Sequence, residues 1–505
     1  MTYRHESYWV DSVEGPEYPA AAGVVSVDVA VIGGGITGLT AALLLKRAGK
    51  SVAVIEANRI AHGVSGYTTA KISAGHGLIY SQITKEMGAE AARIYAESNQ
   101  AAIGKISSLV EELGIDCDFE PTDNYVYSES PDQIETLQQE AEAARATGLP
   151  ASFTTESTLP FPVAGAVKWT DQAQFHPRKY FVALAEAIDG DGSFVFEHTA
   201  ATKLEEGEPC VVGTPDATIS ADKVVVATHF PTFDRGLFFA KVHPYRAYVV
   251  TAKIAEEQAP QGMWITSTSP TRSVRTTPYE DGRLLIITGE GHKVGQEPDP
   301  GRRYAALEEW TRSRFDIKSF EFRWSTQDNK SVDHVPYVGQ LTRGSEHVFT
   351  ATGFAGWGMT NGTMSGMLLT DLVRGVENPW AGLYDSNRLN PSASAKEFIK
   401  ENTNVAIRFF TDRIRSLSKN VADIPEGQGN VVAVGPKSVA VYKDEGGNVH
   451  ALSARCTHLG CIVQWNGAEK SWDCPCHGSR FTTEGEVLQG PATKPLGSID
   501  LTTEE

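Results

Sequence analysis

Four cysteines and two histidines near one end of the chain carry the most specific chemistry in the sequence. Cys456-Thr457-His458-Leu459-Gly460-Cys461 is followed by Cys474-Pro475-Cys476-His477-Gly478-Ser479, so the four cysteines fall within 21 residues. Each segment supplies one Cys–His pair on a short turn, and one further cysteine. Two thiolates suit ferric iron, and two neutral imidazoles suit the second iron of a shared cluster. A structural zinc site is the competing reading. Zinc fingers, however, pair Cys-x-x-Cys with His-x-x-x-His, and neither half has that form. A disulfide scaffold would spread its cysteines along a short secreted chain, whereas a tight cluster points to metal. The remaining cysteines, Cys117 and Cys210, are isolated and read as free structural thiols.

The second constellation is glycine-rich and lies near the other end. Gly33-x-Gly35-x-x-Gly38 sits between the apolar run Val29–Ile32, expected as a buried parallel strand, and Ile36–Ala48, where apolar residues recur at helical spacing. Gly49 stops the helix, and a second apolar strand, Val52–Ile55, ends on Glu56. Gly33 permits a tight turn, Gly35 lets backbone approach a pyrophosphate, and Gly38 lets helix and strand pack closely. The helix N-terminus directs unpaired N–H groups at the phosphates. Glu56, 18 residues after Gly38, is placed to accept hydrogen bonds from a ribose. This unit predicts a bound dinucleotide without separating FAD from NAD.

The elements that must position these groups are interleaved. Amphipathic helical patterns run from about Thr84 to Leu113 and from Asp132 to Thr147, and Val195–Thr199, Lys223–Thr228, Tyr245–Ile254 and Arg283–Thr288 read as strands. The fold class is therefore α/β with an antiparallel section. Asn390-Pro391-Ser392-Ala393-Ser394 breaks the pattern, a helix is expected from Ala395 to about Leu417, and short strands follow Pro425-Glu426-Gly427-Gln428-Gly429. Glu445-Gly446-Gly447-Asn448 reads as a hairpin turn. The expected division is a nucleotide-binding α/β region over 1–390, a helical linker over 391–420 and a small all-β domain over 421–505. Within the first, nucleotide-binding segments are expected at about 25–80, 190–230 and 330–390, and the substrate segment mainly at 235–325.

The chain has 505 residues, with 45 Lys and Arg against 63 Asp and Glu, a net charge of −18. Such a surface repels nucleic acid, so no nucleic-acid partner is expected. No apolar run reaches the about 20 residues of a membrane-spanning helix, and the first residues have no basic stretch followed by an apolar one. A cytoplasmic protein is expected. Val405 to Ile414, with Arg408, Arg413 and Arg415 in or beside it, is amphipathic and could touch a bilayer. Its position between the two halves favours burial against the flavin half instead.

Residues 28–56, followed by Gly63-Val64-Ser65-Gly66-Tyr67-Thr68-Thr69-Ala70, resemble the FAD-dependent D-amino acid oxidase/glycine oxidase-like superfamily. Lys223–Thr228 resembles its strand that returns near the dinucleotide. Asp333–Gly339 and Ala351–Thr360 resemble its C-terminal flavin-contacting loop and helix start. The resemblance spans roughly 25–390 and implies a Rossmann-like FAD-binding domain with an antiparallel β-sheet substrate domain. The FAD contacts it implies are Gly33, Gly35, Gly38, Glu56, Ser65, Thr68, Ala201, Ala227, Gly358, Met359 and Thr360. Backbone at Gly358–Thr360 would face the pyrimidine end of the flavin, and backbone around Ala201 the adenine. Members oxidise C–N bonds of amino acids and secondary amines by hydride transfer to flavin N5, usually with a basic residue on the substrate carboxylate. Arg246 and Arg275 are the candidates for that role, with Tyr245, Tyr248 and His243 nearby in sequence. Lys71 and His76 could approach the flavin.

The cysteine–histidine segments have the spacing of a Rieske centre and resemble the Rieske domains of cytochrome bc-type complexes. The resemblance implies that Cys456 and Cys474 ligate one iron of a 2Fe–2S cluster and His458 and His477 the other. It implies a Cys461–Cys476 disulfide tying the loops together, with the imidazoles exposed for electron exit. Ser479 matches a hydroxyl that donates to a cluster sulfur, and Phe481 stands where high-potential members carry a Tyr hydroxyl. One hydrogen bond fewer predicts an intermediate or low potential. The whole layout, including 64–78 and 464–481, resembles a bacterial group of FAD-dependent oxidoreductases with a C-terminal Rieske domain.

Flavin takes two electrons as a hydride and the cluster passes one at a time, so both on one chain make an electron splitter. The expected activity is a dehydrogenase that oxidises a small amine or amino acid. Its external acceptor would be a carrier protein or quinone-linked. The alternatives are a cluster-fed reductive flavoenzyme and a redox-sensing or electron-transfer module without turnover. A Rieske oxygenase needs a mononuclear iron with two His and a carboxylate, and the other histidines form no such close set.

Overall fold

The β-branched run Gly23–Ile32 becomes a central strand of a parallel sheet, increasingly buried toward its C-terminal end. In this computed structural model, residues 3–389, 395, 397–405, 407–408 and 420–501 are described. Spatially the sheet runs Tyr337–Gln340, Val348–Thr352, Ala217–Val226, Gly23–Ile32, Val52–Ile55, Phe194–Phe196. All neighbours are parallel except Tyr337–Gln340, and the hairpin Lys203–Glu205/Cys210–Gly213 joins antiparallel at the side. Such a sheet buries both faces, which is why its strands read as continuous apolar runs. Helix Ile36–Arg47 covers one face together with Gly358–Arg374.

The second sheet has nine strands. In order they are Ser319–Ser331, Val242–Ile254, Gly282–Lys293, Arg272–Tyr279, Met263–Thr266, Glu120–Ser128, Gly165–Gln174 and Lys71–Ile72, with Ala151–Thr154 beside Gly165–Gln174. All pairs are antiparallel except Met263–Thr266 with Glu120–Ser128. The segment 235–325 thus supplies only part of it. The rest comes from 71–174, which pairs with strands far away in sequence. The helical pattern over 84–113 divides at Gly88, whose φ of +92° ends Ile79–Met87 before Ala89–Glu112 begins.

Beyond residue 420 the chain forms a three-stranded sheet, Gln428–Val434, Lys437–Lys443 and Val449–Ser453, and a four-stranded one, Gln464–Asn466, Ser471–Asp473, Arg480–Phe481 and Val487–Gln489. The predicted turn at 445–448 closes the second hairpin of the first. Between the two halves, residues 395, 397–405 and 407–408 are helical. Glu401 there pairs with Lys293 at 2.6 Å, and Asn402 donates to the Ala240 carbonyl at 3.2 Å, so this helix lies on the flavin half. Most of the amphipathic stretch Val405 to Ile414 lies outside the described residues. Among the described residues no helix is long and apolar enough to cross a membrane.

Candidate cofactor sites and their interface

At the nucleotide turn, Gly33 has φ +112°, and a Cβ there would lie 2.4 Å from the Ala227 carbonyl oxygen. A Cβ on Gly38 would lie 2.0 Å from the Gly33 carbonyl oxygen. Strand, turn and helix are therefore as close as backbone allows, with the turn running directly into the start of Ile36–Arg47. Ser65 Oγ accepts from the Ile36 amide at 3.0 Å and stands against Gly35. Glu56 ends its strand half-buried, with Oε2 accepting from the Gly34 amide at 2.8 Å and Oε1 from the Asn58 amide at 2.9 Å. This orients its carboxylate beside the turn. The cradle fits a dinucleotide: glycines where a side chain would collide, a helix N-terminus, and a fixed acid at the second strand.

The other implied flavin contacts gather from distant segments. Ala227 continues the strand Ala217–Val226, its amide donating to the Ile32 carbonyl at 2.8 Å. Thr68 Oγ1 accepts from the Ala70 amide, and the Thr68 carbonyl accepts from Trp9 Nε1. Gly358 opens the helix Gly358–Arg374, Met359 is buried, and Thr360 Oγ1 donates to the Ser73 carbonyl at 2.9 Å. Ala201 is half-buried in the loop after Phe194–Phe196 and packs on the core around Ile32 and Phe196.

His76 is buried and already satisfied. One ring nitrogen meets Tyr95 Oη at 2.6 Å and the other the Ser73 carbonyl at 2.6 Å, and burial pulls its pKa to about 3, so the ring is neutral. Lys71 is buried, donates to Thr69 Oγ1 at 3.0 Å and Ser273 Oγ at 2.7 Å, and burial, then the nearby Arg275, draws its pKa down to about 7. Arg275 donates to the carbonyls of Thr69 and Ala70 and so straps the segment that leads to Lys71. Arg246 is turned toward the C-terminal domain, pairing with Glu469 at 2.9 Å and donating to Gln327. Tyr245 carries the Lys330 ammonium over its ring at 3.8 Å, Tyr248 meets His292 Nε2 at 2.8 Å, and His243 lines a cleft with Pro475. The structure thus brings Lys71 and Arg275 together on the nine-stranded sheet and places the 243–246 stretch at the domain contact.

In the C-terminal domain, Cys456 to Cys461 form one loop and Cys474 to Ser479 the other, above a core containing Trp472 and Phe481. Cys461 and Cys476 form a disulfide. Cys474 Sγ lies within 4.8 Å of both disulfide sulfurs, but of the four loop cysteines only Cys456 and Cys474 are free thiols. These two hydrogen-bond each other, which favours ionisation of Cys456. The His458 and His477 rings stand 5.0 Å apart, and the buried His458 Nδ1 has no protein partner. Burial holds both imidazoles low, at about 4 and about 3, in the neutral state a ligand needs. Two facing thiols, two facing neutral imidazoles and an orphaned nitrogen fit a Cys2His2 2Fe–2S cluster. The imidazoles are less open than the resemblance implied. His477 is 5% exposed and His458 is half-buried, because the flavin domain covers that side.

Residues 28–372 match the family described as FAD dependent oxidoreductase. The chain belongs to this family. Residues 416–500 match the Rieske [2Fe-2S] domain, so this FAD-dependent oxidoreductase carries both FAD and a Rieske cluster. It is 36% identical over 498 residues to YhfW of Bacillus subtilis (strain 168), provisionally named as a Rieske 2Fe-2S iron-sulfur protein, with 98% of each chain covered. It is 26% identical over 371 residues to gamma-glutamylputrescine oxidoreductase of Escherichia coli (strain K12), 70% of this chain and 84% of that one. Glycine oxidase from Geobacillus kaustophilus shares its fold, with a TM-score of 0.60 at 20% identity over 72% of this chain and 99% of that one.

Within the Rieske domain of this oxidoreductase, Ser479 is fully buried and hydrogen-bonds the Cys456 sulfur, while Phe481, also buried, offers no hydroxyl. A hydrogen bond to a charged group contributes about 1.5–3 kcal/mol, and tenfold is about 59 mV for a one-electron couple. Ser479→Ala is therefore expected to lower the cluster potential by at most something on the order of 65–130 mV and Phe481→Tyr to raise it. An EPR-monitored redox titration reads both, and an unchanged potential in Ser479→Ala would remove the hydroxyl from the electronic account.

The residues that sequence reasoning missed are those at the domain contact: Phe230, Phe239, Gln327, Glu469 and Gly295. None has a local signature, because each matters only through where the cluster loops land.

Proposed function

We propose that this protein oxidises the C–N bond of a small amine or amino acid by hydride transfer to FAD and relays the electrons singly through its Rieske cluster to an external one-electron acceptor. The observation that carries the reading is the packing of the cluster loops directly on the flavin domain, which puts a two-electron and a one-electron carrier in one body. An amine-type substrate is supported by the similarity to gamma-glutamylputrescine oxidoreductase. The second sheet brings together two buried basic side chains, Lys71 and Arg275, and this is where we place an anionic group of the substrate. A dehydrogenase is favoured over an oxidase because a cluster is superfluous when oxygen reoxidises the flavin directly.

The test is an anaerobic titration of the holoprotein with a panel of amines and amino acids, followed by optical and EPR spectra. Flavin bleaching followed by the rhombic signal of a histidine-ligated cluster is the expected result. A cluster signal with dithionite alone, and no bleaching by any amine, would sink the amine-dehydrogenase reading and turn attention to inward electron flow or sensing.

A further inference from the structure

The imidazole edge of the cluster loops is not turned to solvent. Phe230 stands edge-on to His458, with centroids 6.1 Å apart and planes at 74°, and Phe239 meets His477 at 5.8 Å and 81°. Gln327 Nε2 donates to the Gly478 carbonyl at 2.9 Å. The Arg246–Glu469 pair, buried on the arginine side, adds a charged contact that Arg480 shares. Two glycines permit this closeness. A Cβ on Gly478 would lie 2.6 Å from Pro244 Cβ, and one on Gly295 would lie 2.8 Å from the Pro475 nitrogen.

Phe230 also ends a short covalent path from the nucleotide site. The Ala227 carbonyl faces Gly33 across the turn, and Thr228, His229 and Phe230 follow directly. His229 is held with φ +66° by Thr352 Oγ1, which donates to its carbonyl at 2.6 Å, and by Asp328 at 3.0 Å on its Nε2. The other Asp328 oxygen accepts from the Gly356 amide, just before the helix Gly358–Arg374 that opens at the implied flavin contacts. One rigid segment therefore touches the turn of the nucleotide site at one end and a cluster ligand at the other.

We infer that the flavin domain is itself the electron-exchange partner of the Rieske histidine face, with Thr228–Phe230 bridging the two cofactor sites and the Arg246–Glu469 pair holding the domains in register. The inference rests on the relay reading above. In each step one electron leaves the reduced flavin and one cluster iron goes from ferric to ferrous, and over the two steps together the single proton delivered with the hydride passes to solvent. The external one-electron acceptor reoxidises the cluster between the two steps that discharge the flavin.

Flash reduction of the anaerobic holoprotein by deazariboflavin radical tests this without any amine, so failure of the substrate reading leaves it intact. The wild type is expected to show flavin and cluster absorbance equilibrating in a phase whose rate is independent of protein concentration. In Gly295→Val that phase is lost and amide exchange of residues 474–480 quickens, while FAD content and the cluster's EPR spectrum are retained. Phe230→Leu slows the phase without changing the exchange. A wild-type phase that scales with protein concentration would overturn the inference, as would an unaltered rate in a Gly295→Val protein whose exchange has risen. Should Gly295→Val fail to fold, Glu469→Gln keeps the side-chain shape. An unchanged rate and unchanged exchange there would remove the ion pair from the docking account, and an unchanged rate in Phe230→Leu would remove the bridge.

Discussion

Gly38→Ala is expected to yield protein without FAD. The added methyl would sit 2.0 Å from the Gly33 carbonyl oxygen and 3.2 Å from Val31 Cγ1, against backbone of the turn and the core of the central strand. No flexible side-chain end is there to yield. Helix Ile36–Arg47 has to move away from the sheet, and the amides at its start leave the position where a pyrophosphate would meet them. Overpacking of this kind costs about 1–3 kcal/mol in a core, and every about 1.4 kcal/mol transmitted to the cofactor is tenfold in affinity. The flavin-to-protein ratio of the purified variant is the readout, with the Rieske EPR spectrum of the same sample as a control on folding. Full flavin occupancy in a folded variant would place the dinucleotide elsewhere than this turn.

Cys474→Ser is expected to abolish the cluster while sparing the flavin. Cys456 and Cys474 are the free thiols of the two loops, and they already face each other. A serine hydroxyl is a harder and far less acidic ligand than a thiol, so it does not replace the thiolate on ferric iron. Iron and sulfide content and the EPR signal of the reduced protein should fall to background, with flavin absorbance unchanged. The companion variant Cys461→Ser tests the alternative grouping, in which Cys474 lies beside Cys461 and Cys476 with all three sulfurs within 4.8 Å. Because the latter two are bonded to each other, Cys461→Ser should loosen the loops but keep a cluster that assembles. A cluster that survives Cys474→Ser and is lost in Cys461→Ser would reverse the ligand assignment.

The domain contact gives Arg246 a different meaning from the one its sequence neighbourhood suggested. On an antiparallel strand near Tyr245 and Tyr248 it read as a clamp for a substrate carboxylate. In the folded protein its carboxylate partner is Glu469, more than two hundred positions away, itself shared with Arg480. Burying such a pair is unfavourable unless both charges are met by further hydrogen bonds, and here Gln327 and Ser325 accept from the Arg246 terminal nitrogens and Tyr304 donates to Glu469, leaving only Arg246 Nε without a partner among the described residues. Removing Glu469 would therefore leave a buried guanidinium with a neutral partner set, which is why its substitution is expected to act on docking.

What the sequence determined by itself was the chemistry that local spacing encodes. The strand, turn and helix around Gly33, Gly35 and Gly38, and the acid Glu56 after the second strand, lie within one short segment whose geometry follows from backbone sterics and hydrophobic period. The same is true of the two Cys–His turns, where ligand type and separation suffice to specify a metal centre. Tertiary structure alone decided the rest. The strands between 71 and 174 join the nine-stranded sheet through partners far along the chain, and no local period announces a pairing of that kind. The neutral state of His76 comes from its burial among segments distant in sequence, and the strap formed by Arg275 depends on the carbonyls of Thr69 and Ala70. The contacts of Gly295, Phe230 and Glu469 beside the cluster loops likewise arise only when two separately encoded domains bury their surfaces against each other.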